Sequence, residues 1–248
     1  MKVEWKLNSG QKALMRKDFA EVWKTPMLRN TLIALPAILM VVMPVIFLVV
    51  AYFVPTNQMN GMDEILELLP EKARSLNERQ MMFYTMTTMM APMLFLMIPL
   101  LSSTVTASSS FVGEKERGTI ETLLLTPMTI RQIFRAKVEM CTRLSLLITG
   151  ISLLLFGITA FVGNFLLHMP IWFDWAWLVT IVFLAPSLTV FGVVFMVLIS
   201  GRSKSYMEAM QTSGYVVLPI ILLFVGQFTG LFVLGALPLL AFSAVVVL

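Results

Sequence analysis

The chain has 248 residues, of which 58% are hydrophobic and 13% charged, with a net charge of +4. A soluble domain carries roughly 25% charged residues, so a purely water-soluble fold is excluded: no single core could bury this much apolar surface, and lipid must be the solvent for much of it. The basic residues flank apolar runs instead of gathering on a polar domain, which argues against a nucleic-acid binder, and the lone Cys141 excludes an internal disulfide or a cysteine metal cluster.

In chain order, the first predicted element is a helix over Gln11–Lys24, within an amphipathic stretch at 8–27. Met15, Phe19, Val22 and Trp23 share one helical face, while Arg16, Lys17, Glu21 and Lys24 lie elsewhere on the wheel. A basic amphipathic helix ending at Thr25–Pro26 lies either in the membrane interface or docked on a helical bundle. No cleavable signal peptide is expected, because the first apolar run begins near Thr31 behind a charged stretch and is too long for a signal core.

Six apolar runs follow: Thr31–Val54, Phe83–Val112, about Leu144–Leu167, Trp175–Ile199, about Gly214–Phe228 and Leu231–Leu248. A helix needs roughly 20 residues to cross a hydrocarbon core of ~30 Å. The first four runs meet that length. The fifth and sixth are short and are separated by little more than Thr229–Gly230, so they are either two spans with a tight turn or one span with a re-entrant hairpin. The last run reaches Leu248 without a polar tail, which reads as a minimal or shortened helix. The loop at 55–80 is too short for a folded external domain, though Met62–Leu69 suits a short helix.

All but Lys72, Arg74 and Arg79 of the 18 basic residues fall on one side of this arrangement. The positive-inside rule then puts the N-terminus and the loop at 113–128 in the cytoplasm. Trp172, Trp175 and Trp177 at the start of the fourth run suit an interfacial aromatic belt. The expected architecture is an all-α, single-domain membrane protein over 1–248, with six transmembrane helices behind an amphipathic interfacial helix.

The spans as drawn contain no Asp, Glu, Lys, Arg or His. Ion-coupled carriers, voltage sensors and intramembrane proteases keep ionisable groups at depth, so none of those classes is supported. The only histidine, His168, falls in an outer loop and reads as a solvated side chain. No catalytic, metal-ligating or cofactor-binding residue is expected, and any driving force must come from a partner.

One loop is suited to meet that partner. It reads Gly113-Glu-Lys-Glu-Arg-Gly-Thr-Ile-Glu-Thr-Leu-Leu-Leu-Thr-Pro127. Gly118 permits a turn, Thr119 is placed to cap a short helix, and Glu121 suits that helix's positive N-terminal end. Ile120, Leu123 and Leu124 form a narrow apolar ridge, and Pro127 ends the helix. Thr129-Ile130-Arg131-Gln132 is a capping box for the next helix, with Met128 and Ile133 placed as its hydrophobic staple. The glycine spacing imitates a phosphate-binding loop, but the lysine after the second glycine is missing and no strand precedes it, so direct nucleotide binding is not expected.

The run GEKERGTIETLLLTP followed by IRQIFRAK resembles the signature of ABC-2 type transporter permeases, and SKSYMEAMQTSG before YVVLPIILL resembles that family's lead into its fifth span. The resemblance extends over essentially the whole chain, apart from the missing C-terminal tail. It implies an ABC-2 (type V exporter-like) transmembrane domain in the cytoplasmic membrane. It also implies a homo- or heterodimer with a second permease subunit and two ATP-binding subunits, which use ATP that this chain does not bind. On that resemblance Glu114, Glu116, Arg117, Gly118, Thr119 and Glu121 are the coupling residues, the charged ones contacting the ATPase. Ser102, Ser103 and Thr106, with Met93 and Met97, either pack helices together or line a pathway. The alternative function is a non-transporting scaffold or sensor that binds an ATPase-like partner.

Overall fold

The computed structural model describes residues 8–53, 76–169, 175–203 and 205–218, together with 220, 221 and 225. Among the described residues 90% are helical and no strand occurs. The expected fifth and sixth spans, except for the first residues of the fifth, lie outside the described residues, as do the short helix at Met62–Leu69 and Trp172.

Helix α1 spans Ser9–Lys24 and opens on a capping box, in which the Asn8 side chain and Gln11 satisfy each other's free backbone donors. Thr25 is extended, as a residue before proline must be, and Pro26 occupies the first turn of α2. Among the described residues four helices are long and apolar enough to cross a membrane: α2 (Pro26–Phe53), α3 (Glu78–Glu116), α5 (Ile130–Leu166) and α6 (Trp177–Ser200). Between α3 and α5 lies the short α4 (Ile120–Leu124), and α6 is followed by α7 (Tyr206–Ser213).

Two helices run further than hydropathy alone indicates. α3 begins at Glu78, five residues before the expected Phe83, because Asn77 and Gln80 form a capping box and the Gln80 amide also donates to the Leu167 carbonyl (3.0 Å). α5 joins the expected helix restart at Ile130 to the expected span from Leu144 without a break. At 1.5 Å per residue each of these helices is roughly 55 Å long, so both project well beyond a ~30 Å hydrocarbon core.

Three of the long helices contain one wide π turn, at Ile38–Val42, Met86–Met90 and Thr180–Leu184. In each case a proline follows two residues later: Pro44, Pro92 and Pro186. A proline cannot donate to the carbonyl four residues back and its ring collides with that carbonyl. The wide turn moves the carbonyl aside and keeps the helix continuous.

α3 is the central helix, packed along α6 on one side and α5 on another. In its most apolar stretch 67% of the residues are buried, against 17% for α2, 28% for α5 and 39% for α6. The outer three therefore present most of their apolar surface outwards, as lipid-facing helices do. Small residues set the closest approaches. A Cβ on Gly192 of α6 would lie 2.1 Å from Ser103 Oγ of α3, and one on Gly163 of α5 would lie 2.1 Å from the Phe83 ring. Trp177 is not a free belt residue. It stacks on Phe156 at 4.9 Å, touches Phe95 and donates its indole N–H to the Thr87 carbonyl (3.2 Å), so it ties α6 to α5 and α3. Trp175, two residues earlier, is 70% exposed.

Candidate functional site at the basic end of the bundle

The loop joining α3 to α5 is held by its own backbone first. Gly118 has a φ of +68°, the left-handed conformation that favours glycine. The Thr119 N–H bonds to the Glu114 carbonyl (3.0 Å) and the Gly118 N–H to the Lys115 carbonyl (3.2 Å). This pair of bonds closes α3 in a Schellman motif with glycine in the turn position. Thr119 does not cap α4 as expected. Its hydroxyl donates backwards to the Glu114 carbonyl (3.3 Å), because its own backbone is already helical. The expected capping box at the start of α5 is present, with the Gln132 N–H on Thr129 Oγ1 (3.3 Å) and the Thr129 N–H on Gln132 Oε1 (3.0 Å). Met128 packs beside Ile133 as the staple requires, in a small cluster with Leu14 of α1.

The loop is braced from beneath by a buried ionic cluster. Lys137 of α5 is at its centre, with its side chain 4% exposed. Its ammonium donates to Asp18 Oδ2 (3.1 Å) and to the Ser110 carbonyl (2.8 Å), and it pairs with Glu114 Oε2 at 2.9 Å. The Ser110 hydroxyl donates to the same Asp18 oxygen (2.8 Å). Lys17 donates to the other Glu114 oxygen, Oε1, at 2.7 Å. Two carboxylates and two ammoniums balance, so the charges of the cluster sum to zero and each buried charged group has an opposite partner. Partial burial works against the Lys17 charge, but the bond to Glu114 and the surrounding carboxylates outweigh it and hold its pKa above the ordinary lysine value.

The cluster joins α1, α3 and α5. The inward face of α1 is Gln11, Leu14, Asp18 and Val22. The apolar set Met15, Phe19, Val22 and Trp23 is rotated from this, and Phe19 remains 41% exposed. α1 packs against the bundle, on α5 most of all. Asp18, Lys17 and Lys137 carry no local sequence signal as a site. A short-range hint was available in the spacing of Asp18 between Leu14 and Val22, but a polar residue there reads equally as an exposed position.

The six expected coupling residues fall into two groups. Glu114, Glu116 and Arg117 have their charged groups engaged inside the chain. Glu114 is 2% exposed, Arg117 pairs with Glu21 of α1, and Glu116 Oε2 accepts from the Tyr206 N–H at the start of α7 (2.9 Å). Lys115 donates to the Ser203 carbonyl (2.9 Å), so the segment is also tied to the end of α6. Gly118, Thr119 and Glu121 are exposed. Beside them stand Leu124 (52% exposed), Leu125 (86%) and Ile130 (74%). Leu123 instead turns towards Leu14 and Ile133. The loop therefore presents an apolar tip with an acidic neighbour, on a base clamped to α1, α3, α5 and α7.

Ser102, Ser103, Thr106 and Met93 are all buried within this one chain, and Met97 is half-buried. Thr106 Oγ1 and Ser145 Oγ lie 3.3 Å apart across the α3–α5 contact. Ser103 meets Gly192 of α6, so two of these residues sit at contacts between helices. Among the described residues no group of three or more His, Cys, Asp and Glu is arranged to hold a metal ion.

No protein family, curated protein or solved structure matches this chain. The class is therefore defined by the structure: a multi-pass membrane protein whose described residues are all-helical and include four membrane-length apolar helices.

Proposed function

We propose that the chain is the membrane subunit of a transporter driven by a separate ATP-binding subunit, an ABC-2 type permease. Its N-terminus and the Gly113–Pro127 loop would lie in the cytoplasm, and it would export its cargo as a dimer of permease subunits. The observation that carries this reading is the loop: an exposed apolar tip at Leu124, Leu125 and Ile130 beside Glu121, rigidly clamped to two membrane-length helices. Monomeric surfaces rarely leave large aliphatic side chains this exposed outside lipid without a partner to cover them. The clamp supplies the mechanism. Force applied to α4 passes through the Schellman turn and the Glu114–Lys137 pair into α3 and α5 together, because the cluster links both helices. The signature resemblance of GEKERGTIETLLLTP, and the concentration of basic residues at this end, support the same orientation. Glu114 and Lys17 then serve to brace the loop, and Glu121 with the leucines would meet the ATPase.

The test pairs the full chain with a candidate ATP-binding subunit and measures membrane-stimulated ATP hydrolysis and vesicle uptake. Glu121→Lys and Leu125→Glu leave insertion intact. Each lowers stimulated hydrolysis by roughly tenfold, as loss of a central contact of about 1.4 kcal/mol does. Normal stimulation and uptake in both variants would refute the assignment.

A further inference from the structure

The surface between α1 and α5 brings cations and lipid-facing apolar residues to one place. A groove of about 510 Å³ runs there, lined by Lys12 and Arg16 of α1, by Arg143 of α5, and by Phe19, Leu144 and Leu147 among its apolar residues. Among the described residues no acidic side chain lines it. Arg143 pairs with Glu139, one turn back on α5, and keeps 65% of its side chain exposed. Among the described residues no ion pair engages Lys12 or Arg16. The nearby acids of α1 are committed elsewhere, Asp18 to Lys137 and Glu21 to Arg117. The groove therefore keeps a positive excess.

Its apolar side leads into the membrane-facing surface. From Leu147 (48% exposed) the same face of α5 continues through Ile151 (50%), Leu154 (69%) and Ile158 (63%). These positions fall at i, i+4, i+7 and i+11, one continuous helical stripe. The stripe lies within a membrane-length helix, and the cations stand where it reaches the bundle's basic end. A ligand that satisfies both halves has an anionic head and a long apolar tail.

We propose that this groove binds one anionic glycerophospholipid. Its phosphate is held by Lys12, Arg16 and Arg143, and one acyl chain lies along the Leu147–Ile158 stripe. Guanidinium groups donate in a fork that matches phosphate oxygens, and basic pockets between membrane helices suit anionic headgroups. A zwitterionic lipid gains little from the charge excess, and a free anion leaves the stripe uncovered. The bound lipid bridges the same two helices that the Asp18–Lys137 pair joins. The proposal rests on α5 spanning the membrane and is independent of the transport reading.

The experiment uses the full chain in detergent, titrated with phosphatidylglycerol or phosphatidylcholine, with retained lipid read by native mass spectrometry. Phosphatidylglycerol is expected to be retained at least tenfold more strongly. Arg16→Gln lowers its retention about fivefold, and Lys12→Gln/Arg16→Gln/Arg143→Gln abolishes the preference, at about fivefold per charge. Arg79→Gln, at the far end of the bundle, leaves retention unchanged. Leu147→Trp narrows the groove and lowers retention with all three cations intact, an effect that charge attraction alone does not produce. Three results would overturn the proposal: equal retention of both lipids, unchanged retention in the triple variant, or displacement by glycerophosphate at the concentration where the lipid binds, which marks a free-anion site. A triple variant that loses its oligomeric state with lipid retention unchanged assigns the groove to a second copy of the chain, and overturns it equally.

Discussion

Lys137→Met tests the ionic cluster most directly. Methionine nearly matches the lysine stem in length and removes only the charge and its three donors. Asp18 then keeps the Ser110 hydroxyl (2.8 Å) and a distant Lys17 at 3.9 Å, while Glu114 keeps Lys17 at 2.7 Å. One buried carboxylate is left without a close cation. Breaking a buried pair in this way costs about 3–5 kcal/mol. The cost falls on the attachment of α1, whose other buried contacts are chiefly Leu14 and Val22. A local opening free energy reduced by that amount accelerates amide exchange along α1 by roughly 10²- to 5 × 10³-fold, with the cores of α3 and α6 little affected. Hydrogen exchange with mass spectrometry on the purified full chain reads this segment by segment. The double variant Asp18→Leu/Lys137→Met removes both charges and recovers much of the loss, because an apolar replacement of a buried pair is often nearly neutral. If the single variant leaves α1 exchange within about threefold of wild type, or if the two substitutions are strictly additive, the cluster does not hold the helix and the reasoning fails.

Three further outcomes are expected. Gly118→Ala costs about 1–2 kcal/mol in thermal stability, all of it from backbone conformation, since nothing lies within 4 Å of the added Cβ; Gly118→Asn recovers part of it, and an unchanged melting temperature for Gly118→Ala refutes the turn assignment. Gly192→Ala drives a Cβ to within 2.1 Å of Ser103 Oγ and lowers stability by about 1–3 kcal/mol, and adding Ser103→Ala relieves most of that, as melting curves of the double variant will show. The raised pKa of Lys17 means that its contribution is complete below the ordinary lysine value of 10.5 and is lost as pH rises through the higher folded-state value; the gap in melting temperature between wild type and Lys17→Met should stay constant through neutral pH and close only above that point.

The features legible from sequence are those that act over a few residues. Four apolar runs were long enough to be spans, and all four are membrane-length helices in the structure. The Thr129–Gln132 capping box and the turn at Gly118 were likewise readable, because a cap and a left-handed turn are decided by neighbours within one turn of helix. The helix start at Glu78 obeys the same local rule, since Asn77–Gln80 is a capping box too, but the apolar run drew the boundary to Phe83 instead. The prolines behind the three π turns were visible as residues. Whether each would break, kink or widen its helix depended on the packing around it.

What only the tertiary structure decided is the use of the charges. Asp18, Ser110, Glu114 and Lys137 come from three separate helices, and the Asp18–Lys137 contact joins residues 119 positions apart. A lysine one or two turns before a span looks the same in sequence whether it sits in water, marks topology or neutralises two buried acids. Likewise a lysine and two arginines scattered over α1 and α5 carry no information about a shared groove until the helices are packed. Hydropathy and capping act along the chain, whereas ion pairing and groove lining act across it. The sequence alone therefore determined that much of this chain lives in lipid and where its capped turns fall, and packing decided which of its few charges hold the loop and which stay exposed.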